Sequence, residues 1–297
     1  MALNEFINSQ IGPMAGAFLG RVLNRKQAYQ VGNFIAAKLA AKKDSALYKA
    51  VRSNLAVVKG IPYSSPELLG GVGRVLQNAA QGYVDWYRMM ASGLEDIEAL
   101  CEIDESIIDS ALEAQSNGHG VVFVGGHISN FNLFLLLLAK RGFPIQVLSF
   151  ARSEGSHRSD TILRERFGIN ATPISFESLR AAYHRLSNNG FVITGVDRPD
   201  VGGSHLTFFN RKVELPIGHA RLAIRSGAYM IVGVVRKTAD GRYKVTSPPI
   251  IKPEITGNLK KDTITLAQRV AGILEGYIRS EPEDWLMFLP VWPDVIP

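Results

Sequence analysis

The pattern of apolar and polar positions divides this 297-residue chain near residue 118. Before that point, apolar residues recur at helical spacing, and the pattern predicts helices over residues 11–39, 46–58, 65–86 and 106–115. The first of these helices is amphipathic, with Arg21, Lys26 and Lys38 among small and apolar residues. Such a helix either lies on a membrane surface with its cations among the headgroups, or packs on the core as an ordinary surface helix.

From Gly120 onward the pattern becomes that of strands alternating with helices. Strand-like runs cover residues 121–124, 145–150, 191–196, 230–235 and 243–246, and helical patterns at 133–141, 159–167, 178–186 and 218–225 separate most of them. A last helix is predicted over residues 262–280 and a last strand over 285–289. This alternation indicates an α/β fold with a mainly parallel central sheet flanked by helices. We predict a single domain over residues 1–297, with an N-terminal helical part (1–117) and an α/β part (118–297).

The composition of the chain indicates which kinds of partner this domain binds. Its formal charge of +6 favours a negatively charged partner, such as anionic lipid, an acidic carrier protein, a phosphorylated substrate or nucleic acid. The basic residues are dispersed, which argues against nucleic acid. The single cysteine, Cys101, excludes an internal disulfide and a Cys-based zinc site, and it fits a reducing, cytoplasmic setting. No run reaches the roughly 18 apolar residues of a membrane span, and the first residues lack the layout of a signal peptide.

The chemistry is predicted to centre on His127, which follows the buried strand at residues 121–124 and precedes an apolar helix. Ligands in open α/β folds bind at this place, outside the carboxyl ends of the strands. The alternative is a histidine that only caps the turn. The chain carries no Gly-x-Ser-x-Gly elbow, phosphate loop or dinucleotide-binding motif, and its six histidines lack metal-ligand spacing. We therefore expect neither a metal nor a cofactor.

Several motifs along the chain resemble those of the bacterial lysophospholipid acyltransferase superfamily. The best match is its lipid A late-acyltransferase branch, which includes the phosphatidylinositol mannoside acyltransferases. Its Gly-His-x-Gly-Asn-Trp-Glu/Asp block is similar to residues 126–132, which read Gly-His-Ile-Ser-Asn-Phe-Asn. Further similar segments are Asn54-Leu55, Asp197-Arg198, the run from Phe208 to Ala223, and Glu281-Pro282-Glu283-Asp284-Trp285.

The resemblance implies a mechanism in which His127 is the general base of acyl transfer from a thioester. Backbone N–H groups near Ser129 and Asn130 would hold the oxyanion. The family carries an acidic residue five positions after the histidine, to orient the ring, but Asn132 stands there. Either another carboxylate, such as Asp197 or Glu154, supplies the charge, or the acceptor is easily activated, for example an amine. A third account is a protein that binds acyl donors without efficient turnover, or that catalyses a different reaction of a thioester.

Three further residues are candidates for substrate binding. Arg152 follows a buried strand, where the family often has an arginine that contacts phosphate or acceptor, although a surface salt bridge is an equal alternative. Arg211 is a candidate for the phosphate of a carrier or lipid. Phe209 is a candidate substrate contact, although packing is the favoured interpretation. The basic pair that the family carries near its C-terminal Trp is missing at residues 289–292, which argues against a lipid A-like acceptor.

These expectations combine into an acyltransferase that acts at the inner face of the cell membrane as a peripheral protein. It would move a fatty acyl group from acyl-CoA or acyl carrier protein to a hydroxyl or amine of a lipid, glycolipid or related acceptor. An apolar cleft beside the helix at residues 133–138 would hold the acyl chain. The alternative is a homologue that binds acyl thioesters or lipids and has lost an effective catalytic pair. Nucleic acid is not expected as a partner.

Overall fold

The structure is a computed structural model that describes residues 22–149, 169–199 and 202–297. The helices of these residues are α1 (Arg25–Ala40), α2 (Ala46–Lys59), α3 (Glu67–Ser92), α4 (Ile97–Leu100), α5 (Glu105–Ser116), α6 (Asn132–Lys140), α7 (Phe176–Ser187), α8 (Gly218–Ser226) and α9 (Leu259–Ser280). The strands are β1 (Cys101–Ile103), β2 (Val121–Gly125), β3 (Ile145–Ser149), β4 (Asn170–Pro173), β5 (Phe191–Gly195), β6 (Ser204–Phe208), β7 (Arg211–Leu215), β8 (Tyr229–Val232), β9 (Val234–Lys237) and β10 (Tyr243–Thr246).

A five-stranded sheet in the order β4-β3-β5-β2-β8 forms the centre of the molecule, and every neighbouring pair in it is parallel. Strand β2 lies in the middle and is apolar on both faces. Val122 and Val124 pack into one core, whereas Val121 and Phe123 pack into the core on the opposite face. Because helices cover both faces, the strand needs a continuous apolar run rather than an alternating one. The predicted α/β fold with a mainly parallel sheet and an N-terminal helical region is confirmed.

The N-terminal helices form a third core of their own, in which Leu55 of α2 packs among Leu68, Val72 and Val75 of α3. This layer is tied to the C-terminal segment through the buried side chain of Asn54. Its amide donates to the carbonyls of Met287 and Leu289 at 3.1 and 2.8 Å. None of the helices within the described ranges is both long and apolar enough to cross a membrane.

Three sequence predictions about elements were wrong, each for a local reason. The helix predicted over residues 11–39 does not pass through Asn24, because the extended backbone and side chain of Asn24 cap the N-terminus of α1; residues 11–21 lie outside the described part. The strand predicted over 230–235 is divided at Gly233 into β8 and β9. The ring of Phe134 packs so closely on the backbone here that a Cβ at position 233 would lie 2.2 Å from it.

The strand predicted over 285–289 is not part of any sheet. Its chain follows a 3-10 turn, Pro282–Asp284, and makes a single antiparallel bridge between Trp285 and Ile128. The C-terminal segment is therefore attached to the loop after β2 rather than to a sheet edge. The remaining strands are arranged outside the central sheet. β9 pairs antiparallel with β10, β10 pairs parallel with β1, and β6 and β7 form a hairpin.

Candidate active site

Two neighbouring strands of the parallel sheet place the central residues of the site. Gly125 of β2 and Gly195 of β5 are direct partners in the register of the sheet. His127 and Asp197 each follow two residues later, so both leave the sheet at the same edge. Because the carboxyl ends of parallel strands meet at one edge, the topology brings together two residues that lie 70 positions apart.

His127 and Asp197 form a tight pair. The Nδ1 atom of His127 lies 2.7 Å from Oδ1 of Asp197, and the backbone N–H of His127 donates to Oδ2 at 2.7 Å. The indole N–H of Trp285 also donates to Oδ2, at 2.8 Å. This network assigns the Nδ1 proton to the bond with Asp197, so that a neutral ring carries its free lone pair on Nε2. The ring can therefore accept a proton on the side away from Asp197.

Burial and neighbouring groups act in opposite directions on the pKa of Asp197, which is 1% exposed. Burial alone would raise the pKa of this carboxyl group. The charge of His127 and the hydrogen bonds from its ring, from Trp285 and from the His127 backbone outweigh burial and hold the pKa below its ordinary value. The side chain of His127 is 32% exposed. The site thus has an ionised carboxylate in the interior and an imidazole open to the surface.

The loop that carries His127 is held by the C-terminal segment. The N–H of Leu286 donates to the carbonyl of His127 at 2.7 Å, and the N–H of Ser129 donates to the carbonyl of Asp284 at 2.8 Å. Gly126 allows the close approach of the loop to Asp197, because a Cβ at this position would lie 2.9 Å from Oδ2. The backbone around His127 is therefore fixed on both sides.

Ser129 and Asn130 hold this loop in place through hydrogen bonds. Ser129 is buried and has a positive φ of 50°. Among the N–H groups near Ser129 and Asn130 that were predicted to hold an oxyanion, the N–H of Ser129 donates to the carbonyl of Asp284. Asn130 is also buried, and its side-chain amide donates to the carbonyl of Gly82 in α3 at 3.0 Å. The backbone of Ser129 and the side chain of Asn130 therefore connect the loop to its surroundings.

Asn132 is the first residue of α6 and is half-buried. A carboxylate at this position would have to orient the His127 ring through a hydrogen bond to one of its nitrogens. The Nδ1 proton is already directed at Asp197 over 2.7 Å. The negative charge beside the imidazole in this structure therefore comes from Asp197, two residues after the end of β5.

The other predicted substrate-binding residues lie in different surroundings. Phe209 is buried at the turn of the β6–β7 hairpin, where its φ is 52°. Arg211 is at the surface and forms an ion pair with Asp294. Arg152, Glu154 and the helix predicted over residues 159–167 lie outside the described residues.

Two residues of this region were not predicted to be part of the site. Trp285 belongs to a segment that resembles the family, but nothing in its spacing indicates a contact with Asp197 across 88 positions.

His219 of α8 is 4% exposed, and neither ring nitrogen has a hydrogen-bond partner among the described residues. Burial lowers its pKa from 6.5 to about 4. With Asp197 and Leu206 it lines a small cavity behind the site, so His219 is a neutral interior group.

The described residues contain no cluster of three or more His, Cys, Asp or Glu that could hold a metal ion. A histidine–carboxylate pair without such a cluster is suited to proton transfer. His127 can take a proton at Nε2, while Asp197 stabilises the imidazolium that results.

Comparisons with known proteins show the family to which the chain belongs. The chain is 27% identical over 252 residues to a phosphatidylinositol mannoside acyltransferase of Mycolicibacterium smegmatis, covering 82% of this chain and 78% of the relative. It is 26% identical over 256 residues to the protein of that name from Mycobacterium tuberculosis, covering 82% and 76%. A sequence profile of the family described as bacterial lipid A biosynthesis acyltransferase matches residues 11–293. The chain belongs to this family of lipid acyltransferases and is an acyltransferase.

Proposed function

We propose that the protein transfers a fatty acyl group from a thioester to a hydroxyl or amine of a lipid or glycolipid acceptor, with His127 as the general base. The observation that carries this proposal is the hydrogen bond of 2.7 Å between His127 Nδ1 and Asp197. It leaves Nε2, on the side of the ring away from Asp197, to accept the acceptor's proton. The acceptor atom then forms its bond to the thioester carbonyl, and the carbonyl oxygen becomes an oxyanion.

Collapse of the tetrahedral intermediate breaks the carbon–sulfur bond. The thiolate leaves with the electron pair and receives the proton from Nε2 of His127, which returns the ring to its neutral form. Asp197 stabilises the positive ring between these two steps because it is ionised and in direct contact with Nδ1. The base therefore needs no acidic residue at position 132.

The oxyanion lies, in this proposal, near the start of α6. The N-terminus of a helix carries partial positive charge and N–H groups that point at an anion. Because the N–H of Ser129 donates to Asp284, we assign the oxyanion contact to the N–H groups that follow it, beginning with Asn130. Asn132, the first residue of α6, keeps the helix start beside the base but brings no charge.

The donor and acceptor are proposed from chemistry and from the relatives. The donor is acyl-CoA or acyl carrier protein. The names of the relatives favour a glycolipid acceptor that carries phosphate. Arg211 is the described candidate for phosphate contact, and an incoming phosphate would replace Asp294 as its partner. Arg152 keeps the same proposed role, whereas we assign Phe209 to packing because its ring is buried.

Helix α1 supports a peripheral contact with a membrane, which we place at the inner face of the cell membrane. Its buried face consists of the small residues Ala28, Gly32 and Ala36. A second apolar face, formed by Val31, Phe34 and Ile35, is exposed to solvent, and Phe34 is 63% exposed. Lys38 lies one turn further along this face, with Nζ 5.3 Å from the ring centroid of Phe34. An apolar stripe bordered by a cation is typical of a helix that lies on a lipid surface.

An acyl-transfer assay on the purified full chain tests the proposed function. Labelled palmitoyl-CoA and palmitoyl acyl carrier protein are offered with lysophospholipid, phosphatidylinositol mannoside and long-chain amine acceptors. We expect transfer to at least one acceptor and a fall of about 10³-fold or more in His127→Ala. A matched control is His119→Ala at the opposite end of β2, where Nδ1 lies 2.9 Å from the carbonyl of Gly227. Transfer by His127→Ala at the wild-type rate would overturn the proposal.

A further inference from the structure

We infer that Trp285 is a positioning residue for acyl transfer, and that its indole N–H fixes the carboxylate of Asp197 in the orientation that His127 requires. This inference rests on the proposed function. It begins from the distribution of contacts on Asp197. Oδ1 faces the His127 ring, while Oδ2 receives the N–H groups of His127 and Trp285 at 2.7 and 2.8 Å. Two of these contacts come from the base itself, and Trp285 supplies one from a distant part of the chain.

The contact from Trp285 matters because a carboxylate can rotate about its bond to Cβ. Rotation would exchange or misalign the oxygen that faces Nδ1. A donor on Oδ2 opposes this rotation, as outer partners do for the ligands of metal sites. A hydrogen bond to a buried charged group is also stronger than one between neutral groups. The indole N–H is thus placed to keep Oδ1 directed at the imidazole.

The same C-terminal segment holds the other member of the pair. The residues on each side of Trp285 bond to the loop of the base, through the carbonyl of Asp284 and the N–H of Leu286. The side chain of Trp285 points between them to Asp197. Three consecutive residues, 284–286, therefore set the position of both His127 and Asp197 relative to each other.

Aromatic packing fixes the direction of the indole. Trp285 is 3% exposed, and its ring lies 6.0 Å from Phe208, 6.4 Å from Phe209 and 6.2 Å from Trp292 between centroids. Phe209 reaches this cluster with a left-handed backbone, an unfavourable conformation for an aromatic residue, and its N–H donates to Glu275 at 2.8 Å. The cluster gives the indole little freedom to turn away from Asp197.

Trp292 provides a control within the same cluster. It is 2% exposed and stacks on Phe208 at 5.9 Å, so it matches Trp285 in burial and neighbours. Its indole N–H has no hydrogen-bond partner among the described residues. Replacement of either tryptophan by phenylalanine removes the same atoms from the same core, but only the change at position 285 removes a bond to Asp197.

The test compares Trp285→Phe with Trp292→Phe in the full chain, using the donor and acceptor pair that gives the fastest transfer. We expect Trp285→Phe to lower kcat roughly tenfold with little change in KM, because the lost bond is to a charged group that acts in the chemical step. The acid limb of its pH–rate profile should also move, because the carboxylate of Asp197 is then held less firmly against Nδ1 of His127. Trp292→Phe keeps an aromatic ring in the cluster and leaves the indole N–H of Trp285 on Asp197, so its kcat should fall much less than that of Trp285→Phe and its pH profile should keep the wild-type position.

A second readout does not depend on turnover. The Nδ1–H resonance of His127 in proton NMR should move in Trp285→Phe and stay in place in Trp292→Phe. If Trp285→Phe does not fold, benzothienylalanine at position 285 keeps the shape and replaces the N–H by sulfur. Equal kcat, pH profile and resonance position in both variants, with His127→Ala inactive, would overturn the inference and leave the proposed function standing. An active His127→Ala would instead remove the proposed function.

Discussion

Gly125 and Gly195 face each other at the last rung of two parallel strands, and two residues beyond them His127 and Asp197 meet at 2.7 Å. The register of the sheet therefore produces the pair. In the proposed mechanism, the neighbouring strand supplies the acidic residue, and none is needed near His127 in sequence. If Asp197 has the proposed role, this relationship accounts for Asn at position 132 in a member of an acyltransferase family.

The first prediction concerns the charge of Asp197. Asp197→Asn keeps the shape of the side chain and can still accept the indole N–H of Trp285, but it removes the charge that stabilises the imidazolium. We expect kcat to fall by about 10³- to 10⁴-fold, as in serine proteases when the triad aspartate is changed to asparagine. Steady-state transfer assays measure this, and thermal melting shows whether the fold is kept. A fall of less than threefold would mean that the charge of Asp197 is not used.

The second prediction concerns Asn132. Because the Nδ1 proton of His127 is directed at Asp197, a carboxylate at position 132 should add little. We expect Asn132→Asp to change the transfer rate by less than about threefold. A gain of tenfold or more would indicate a pair that has decayed and regains its base. A large loss would indicate that the amide of Asn132 is adapted to the reaction of this protein. The same assay with Asn132→Ala separates the effect of the added charge from that of the lost amide.

The sequence was sufficient to predict the inner strands of the central sheet, because β2, β3 and β5 consist mainly of apolar residues, as strands covered on both faces require. It was not sufficient for short or exposed strands. β1 has three residues, and the β6–β7 hairpin turns at Phe209-Asn210, a pair without the glycine that usually indicates such a turn. β4 has only four residues, and its two end positions, Asn170 and Pro173, are exposed.

The candidate site could be predicted only in part, for a similar reason. His127 was found from its place between a buried strand and a helix, and Asp197 was named because it ends a strand. Their contact depends on strand order, which periodicity does not reveal. The contact of Trp285 with Asp197 depends on a C-terminal segment that was predicted to be a strand and instead crosses the loop of the base. Contacts between residues that lie far apart in the sequence could not be predicted from local sequence patterns.

The third prediction concerns the exposed face of α1. Phe34→Glu should weaken binding to anionic phosphatidylglycerol vesicles, because it removes an aromatic ring and adds a negative charge at the lipid surface. We expect the bound fraction in a sedimentation assay to fall at least severalfold. Phe176→Glu is the matched control, since Phe176 is also exposed but lies at the start of α7. Equal binding by both variants would exclude α1 as the contact.

The last prediction concerns the stability of the fold below neutral pH. His219 is buried with a pKa of about 4, compared with 6.5 for an ordinary histidine. Between these pH values His219 binds a proton in the unfolded chain but not in the folded chain. The contribution of His219 to the free energy of unfolding is therefore complete above pH 6.5 and is lost as the pH falls towards 4. The loss from this residue is about 3 kcal/mol. His219→Leu should flatten this part of the curve in urea unfolding experiments between these pH values, whereas the exposed His205→Gln should keep the wild-type slope. An unchanged slope in His219→Leu would show that other groups cause the loss.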